Sequence, residues 1–195
     1  SASTPIAPPA APTVRRFAHR SNIPRPGPAL NWTASPTLRP AMNQGNFNTC
    51  TAFALCATMS DLKLIQSKGK IRIDLSPGHL HWCLAGLHGS DSLDTVVALQ
   101  LAKNQKIALV SKQDYPYDTA KCDTAEGYLG IRSYSALYTG GDARAALQSG
   151  PVLATMHLYA DFENYTGGVY RPPQGLPRLG NHTVELVGYD DGAEA

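Results

Sequence analysis

No stretch of eighteen residues in this chain is continuously apolar, so nothing in it reads as a membrane-spanning helix. Charge of one sign is missing too: 17 Lys and Arg stand against 15 Asp and Glu, a net charge of +2. That balance is too weak to imply a nucleic-acid partner or an anionic membrane surface. Cysteine is scarce, and the four present (Cys50, Cys56, Cys83 and Cys122) include no Cys-x-x-Cys pair, which argues against a zinc site. His79, His81 and His88 stand close in sequence, but such histidines read as surface or packing residues. No metal and no cofactor are expected. No internal repeat is visible. The beginning also lacks an apolar signal core, which excludes nothing because Ser1 reads as a processed or engineered end.

What is present suffices for a globular body. At 195 residues with 43% hydrophobic residues, the chain can bury a core as one domain or two small lobes. Most of the fifteen prolines fall in residues 1–40. Residues 1–22 therefore read as a Pro-rich disordered arm or linker, and 23–195 as one domain. Apolar residues between Ile23 and Trp32 suit a strap lying across that body.

From residue 50 to residue 68 no Pro or Gly intervenes, and Ala52, Phe53, Cys56, Met59 and Leu62 recur at helical spacing. Asn48 or Thr49 is placed to cap this helix, and Gly69 to end it. Ser76 and Pro77 open a second helix, residues 92–104 form a third, and residues 115–118 form a loop. Asp142 is placed to cap a short helix over 143–149 that Gly150 and Pro151 stop. The period then changes to two: Val152, Ala154, Met156 and Leu158 share one face of a strand. Val169–Tyr170 and residues 183–189 read as further strands, and His157 as a packed strand residue. Helices followed by antiparallel strands predict an α+β fold of two lobes, helical over about 41–125 and β over about 126–195.

Cys50 falls in the first turn of the long helix, where unsatisfied N–H groups favour a thiolate. A thiolate nucleophile needs an imidazole to hold the ion pair and later protonate a leaving group. His182, in Asn181-His182-Thr183-Val184, is 132 positions away, so the fold must bring the two together. An attacked carbonyl also needs donors for the developing oxyanion. The Cys50 backbone N–H is one candidate. The other is the Gln44 side chain, folded back at Gly45.

Gln44-Gly45 followed by Cys50 and Ala52-Phe53 resembles the Gln-Gly-x-Cys-Gly-Ser-Cys-Trp-Ala-Phe motif of the papain family of cysteine peptidases. Leu75-Ser76-Pro77 before Cys83, Ala98-Leu99-Gln100-Leu101, and Tyr115-Pro116-Tyr117 before Cys122 fit as well. So do Gly150-Pro151-Val152, Gly168-Val169-Tyr170, and Asn181-His182 before Val187-Gly188-Tyr189. Each motif alone is weak; seven in order, from about Asn31 to Gly192, are specific. The resemblance implies a two-lobe fold with a cleft between lobes. In it Cys50 would be the nucleophile, His182 the general base and acid, and Gln44 the oxyanion donor. It implies hydrolysis of peptide bonds through an acyl-enzyme thioester, and a protein or peptide substrate. A pro-segment or protein inhibitor would be a possible occupant of the cleft. It also implies a Cys83–Cys122 disulfide, hence a secreted, periplasmic or lumenal location, and leaves Cys56 as a thiol inside the central helix.

The departures are specific. Phe47 stands where the family has the first cysteine of its motif, and no partner cysteine follows in Gly89-Ser90-Asp91, so that disulfide is lost as a unit. Thr51 replaces the usual Trp, as in divergent bacterial members. The family's Gly-Gly wall is replaced by the stretch from Gly89 to Leu93, which makes Gly89, Ser90 and Asp91, with Asn181, the candidate substrate-binding residues. The family's imidazole-orienting Asn comes roughly sixteen residues after the His, and thirteen residues remain here, so the chain reads as truncated before it. The competing readings are a catalytically impaired interaction module of the same fold, or a Cys–His amidase, acyltransferase or toxin domain. Three Asn-x-Thr matches, at Asn31, Asn164 and Asn181, read as chance.

Overall fold

The absence of Gly and Pro after Cys50 has its expected consequence. In the computed structural model, which describes residues 27–34, 38–111 and 119–192, a 17-residue helix runs over Cys50–Gln66. In chain order the elements are β1 (Ala29–Asn31), α1 (Cys50–Gln66), a π-helical turn (His79–Leu84), α2 (Thr95–Asn104) and β2 (Ile107–Ala108). A 3-10 turn (Thr119–Thr124), β3 (Gly127–Leu129), α3 (Gly140–Leu147), β4 (Val152–Tyr159), β5 (Arg178–Leu186) and β6 (Gly188–Asp190) follow. The arm expected over 1–22 and the loop expected over 115–118 lie outside the described residues.

Helix α1 is the central post. It is buried on nearly every side, with Ala52, Leu55, Cys56 and Met59 joining Leu75, Leu80, Leu93, Ala98, Ala102 and Ile107 in one core. Burial pushes the Cys56 thiol up to about 12, so it packs as an inert apolar group. Polar side chains within the helix turn back onto it: Thr58 Oγ1 donates to Ala54 O at 2.9 Å, and Ser60 Oγ to Cys56 O at 2.7 Å. The helix stops where Lys68 and Gly69 take positive φ (54° and 80°), while Gly69 N–H returns to Leu64 O at 2.9 Å.

The strands pair antiparallel in three two-stranded ribbons, β1–β6, β2–β3 and β4–β5. Strand β5 runs beside α1 and carries His182 opposite Met156 of β4. The start of the described chain belongs to the second half of the molecule, as the strap reading expects. Leu30 pairs with Tyr189, Trp32 N–H donates to Val187 O at 2.9 Å, and Trp32 Nε1 donates to Leu147 O at 2.8 Å. Gly188 makes that approach possible, since a Cβ there would stand 2.2 Å from Leu30 O.

Several local expectations need correction. Thr49 sits at the α1 N-cap position without capping it, and its buried hydroxyl has no partner. Ser76 Oγ does accept from His79 N–H at 3.0 Å, but the helix it opens widens into a π turn, with Ala85 N–H reaching Leu80 O. Helix α2 begins at Thr95, not residue 92, because Asp94 supplies the cap to Val96 and Val97 N–H. In α3 Thr139 is the cap, and Asp142 closes the capping box from inside the helix, which therefore starts at Gly140. Val169–Tyr170 is no strand. Gly167 and Gly168 at φ 152° and 84° turn the chain there, and Tyr170 instead packs on Phe162 and Tyr165. The final strand breaks at Val187 into β5 and β6. His157 is exposed, not packed, and its Nδ1 lies 3.2 Å from Asn181 Oδ1. His79 and His81 are buried: Ala108 N–H donates to His79 Nδ1 at 3.1 Å, and His81 Nε2 lies 2.8 Å from His88 O.

Candidate active site

Cys50 is the first residue of α1, and His182 lies mid-strand in β5, so packing of helix on strand brings together residues 132 positions apart. The junction is pinned one residue further along each element, where Thr51 Oγ1 and Thr183 Oγ1 lie 3.0 Å apart, both buried. The Cys50 thiol and the His182 ring are hydrogen-bonded. Burial alone would raise the thiol. The His182 hydrogen bond, a backbone bond from Thr183, the imidazolium charge and the Thr51 hydroxyl outweigh it and bring Cys50 from 9.0 to about 7. His182 moves the opposite way: its hydrogen bond to Cys50 and the thiolate charge raise it, against the opposing effect of burial. Shifts of opposite sign in two hydrogen-bonded groups mean that each favours the charged form of the other.

The pair opens into a cleft of about 630 Å³, bounded by α1, β5 and the segment 38–44, which Gln44 lines together with Cys50 and His182. Gly45, at φ 63°, makes the turn that places Gln44 there. The Gln44 side-chain amide donates to Phe47 O at 2.8 Å. A larger open depression of about 800 Å³ beside β1, β6 and Tyr165 holds neither Cys nor His.

Two carboxyl groups that line the cleft escaped the sequence reading. Asp61 of α1 and Glu185 of β5 meet in its wall with their side chains hydrogen-bonded, and Arg39 lies beside them. Burial pushes Glu185 up to about 8, helped by the Asp61 charge and opposed by Arg39. Asp61 is likewise raised by burial, against the Arg39 charge. The signal was faint: one Glu in the apolar run Val184-Glu185-Leu186-Val187, and one Asp on a helix otherwise read as core.

Gly89, Ser90 and Asp91 lie beside the loop that leads into Cys50. Asn48 N–H donates to Gly89 O at 2.8 Å, and Asn48 Nδ2 to Ser90 O at 2.7 Å. Phe47 lies over Gly89, where a Cβ would come within 2.3 Å of the ring, and meets Trp82 edge-on at 5.9 Å. Aromatic packing and two hydrogen bonds thus join the segments that a disulfide would have joined. Asp91 Oδ2 accepts from His88 N–H at 2.8 Å and closes its own turn. Asn181 flanks His182 on the exposed side, where its Oδ1 accepts from Arg178. Cys83 and Cys122 are disulfide-bonded across 39 positions, tying the π turn to the 3-10 turn. Among the described residues no His, Cys, Asp and Glu cluster could hold a metal, and no helix is long and apolar enough to cross a membrane.

The model of the papain family cysteine proteases matches residues 27–194. The chain belongs to that family. A cathepsin B-like protein, CP1, from Giardia intestinalis is 27% identical over 175 residues, covering 80% of this chain and 57% of that protein. The fold matches proCathepsin B S9 from Trypanosoma congolense at TM-score 0.76 and 24% identity, over 91% of this chain and 66% of that one. It also matches a cysteine protease from Carica candamarcensis, solved in complex with E-64, at TM-score 0.67 and 21% identity, over 85% and 78% of the two chains. The two-lobe α+β papain-like fold is therefore shown. The chain spans about half the length of the curated relatives it matches.

Proposed function

We propose that this papain-family chain is a cysteine peptidase and that Cys50, His182 and Gln44 carry the reaction. The observation that supports this most directly is the hydrogen-bonded Cys50–His182 pair with its thiol lowered to about 7. The Cys50 thiolate attacks the scissile carbonyl carbon, forming a C–S bond while the carbonyl electrons move to oxygen. The Gln44 amide and the Cys50 backbone N–H stabilise that oxyanion. His182 gives its proton to the departing amine nitrogen as the C–N bond breaks, leaving a thioester. It then takes a proton from water, which attacks the thioester carbonyl and releases the acid and the thiolate.

The substrate is a protein or peptide lying in the cleft, with Gly89, Ser90, Asp91 and Asn181 as flanking residues. A pro-segment or inhibitor would occupy the same cleft; one structural relative is itself a proenzyme. The Cys83–Cys122 bridge supports a secreted, periplasmic or lumenal location, where disulfides persist. Residues 23–195 form the peptidase domain and 1–22 an arm or linker. The test is active-site labelling: E-64 or iodoacetamide near pH 7 should modify Cys50 and not Cys56, and Cys50→Ala should lose both labelling and peptide hydrolysis. A wild-type Cys50 no more reactive than an ordinary thiol would refute the reading.

A further inference from the structure

Helix α1 and strand β5 are pinned together at two separate places. At one, Cys50 bonds His182, with Thr51 and Thr183 beside them. At the other, Asp61 bonds Glu185. Asp61 follows Cys50 by eleven residues, about 16 Å of helix, and Glu185 follows His182 by three, about 10 Å of strand. Two pins that far apart fix the crossing of helix on strand, which a single pin would leave free to pivot. Cys50, His182, Asp61 and Glu185 all line the same cleft.

The second pin has a chemical condition attached. An ionised carboxyl only accepts hydrogen bonds, so Asp61 and Glu185 can bond each other only while one of them carries a proton. Their surroundings assign that proton to Glu185. The Asp61 carboxyl accepts a backbone bond from Arg39 and lies in the fields of Arg39 and Arg72. Glu185 Oε1 is buried without a partner, which a neutral carboxyl tolerates far better than a carboxylate does. Arg39 is also divided, since its Nη1 donates to Asp74 at 3.2 Å. Asp61, Asp74 and Glu185 thus stand against Arg39 and Arg72, one acid too many, and the proton makes good the difference. The other titratable groups around the pair are Cys50 and His182 along the cleft, and Tyr165, Tyr189 and Asp190 in the open depression that Glu185 also borders. Among the described residues lining that depression none is cationic, and Leu153, opposite Glu185 on β4, is apolar.

We propose that Asp61 and Glu185 are positioning residues, a proton-closed clasp that holds α1 at the crossing where Cys50 meets His182, and that loss of the proton opens it. This rests on the peptidase reading above. With the proton gone to solvent, two buried carboxylates repel at close range, the far pin is released and α1 pivots on the near one. The enzyme is thereby switched off reversibly on the alkaline side by groups that take no part in the bond changes.

The test is the pH dependence of peptide hydrolysis, kcat/KM from pH 6 to 10, with each protein normalised to its own value at pH 7. Wild type should lose activity on the alkaline side with one proton more than Glu185→Gln, whose carboxamide donates to Asp61 at every pH. The two profiles should diverge about tenfold between pH 8.5 and 9.5, and wild-type activity should return on going back to pH 7. Asp61→Asn, which donates to Glu185 in place of the proton, should remove the same step, and it replaces Glu185→Gln if that variant does not fold. Parallel alkaline limbs in wild type and variant would overturn the clasp. Hydrogen exchange in Cys50→Ala, corrected for intrinsic rates, separates the two proposals. Protection of Cys50–Gln66 and Arg178–Leu186 should drop about tenfold from pH 7 to 9 in that protein, and stay level when Glu185→Gln is added. Such a drop combined with an unreactive wild-type thiol would sink the peptidase reading and keep the clasp. Level protection in Cys50→Ala would sink the clasp whatever the thiol does.

Discussion

Replacing His182 with alanine removes the largest influence lowering the Cys50 thiol and leaves the burial that raises it. The wild-type thiol ionises at about 7 rather than 9.0. In His182→Ala the midpoint should return to 9 or above, since the Thr51 hydroxyl and Thr183 backbone then act alone against desolvation. At pH 6 a thiol of pKa 7 is about one-tenth ionised and one of pKa 9 about one-thousandth, a ~100-fold difference in thiolate. Part of this is returned, because the more basic thiolate is intrinsically more nucleophilic, by roughly tenfold for a difference of this size. Iodoacetamide labelling of Cys50 at pH 6 should therefore fall about tenfold in the variant. Above pH 9.5, where both thiols are largely ionised, the variant should label faster than wild type. The rate profiles must cross. The assay is labelling followed by peptide mapping from pH 5 to 10.5, with buried Cys56 as an internal control that stays unmodified. A variant midpoint still near 7, or two profiles that never cross, would show that His182 is not what sets the thiol, and the pair would lose its chemical meaning.

Three further outcomes follow from particular contacts. Glu185 is raised from 4.5 to about 8, so between those values the native state holds a proton that the unfolded chain releases, and stability falls as pH rises through that window. Glu185→Gln should flatten the decline by ~1–3 kcal/mol after allowing for partial exposure, read from urea midpoints between pH 5 and 8; an unchanged pH slope refutes the assignment. Cys83→Ser with Cys122→Ser opens a loop of 39 positions, a loss of about 4 kcal/mol on the chain-entropy account, measured as the stability difference between oxidised wild type and the double variant. Gly188→Ala drives a Cβ into the Leu30 carbonyl and should cost about 1–3 kcal/mol, with Trp32 fluorescence reporting the loosened β1–β6 pair; an unshifted melting temperature would contradict the close approach.

What could be read from the sequence was whatever is encoded locally or as ordered motifs. Helix α1 is legible because seventeen residues pass without a breaker, and β4 because Val152, Ala154, Met156 and Leu158 keep period two. The errors gather where several caps compete. Ser92, Asp94 and Thr95 are all plausible starts for α2, and the choice of Asp94 is made by which carboxylate reaches two N–H groups at once. Strand β5 was half-legible. Its first residues, Arg178-Leu179-Gly180-Asn181, hold one apolar side chain, which is exposed, and they pair because β4 lies opposite them, not because of their own propensity.

The site shows the same division more sharply. Cys50, His182 and Gln44, which line one cleft, could be singled out because each proposed role needs a particular residue type at a characteristic place. Asp61 and Glu185 could not, because neither is unusual until helix and strand are packed together and the two carboxyls face each other near Arg39. The threonines Thr51, Thr95, Thr155 and Thr183, whose hydroxyls lie 3.0–3.5 Å apart in a row, are the extreme case. Threonine is ordinary in strands and at helix starts, and four of them spread over 132 positions form no pattern along the chain. Only when α1, α2, β4 and β5 converge do their hydroxyls become neighbours.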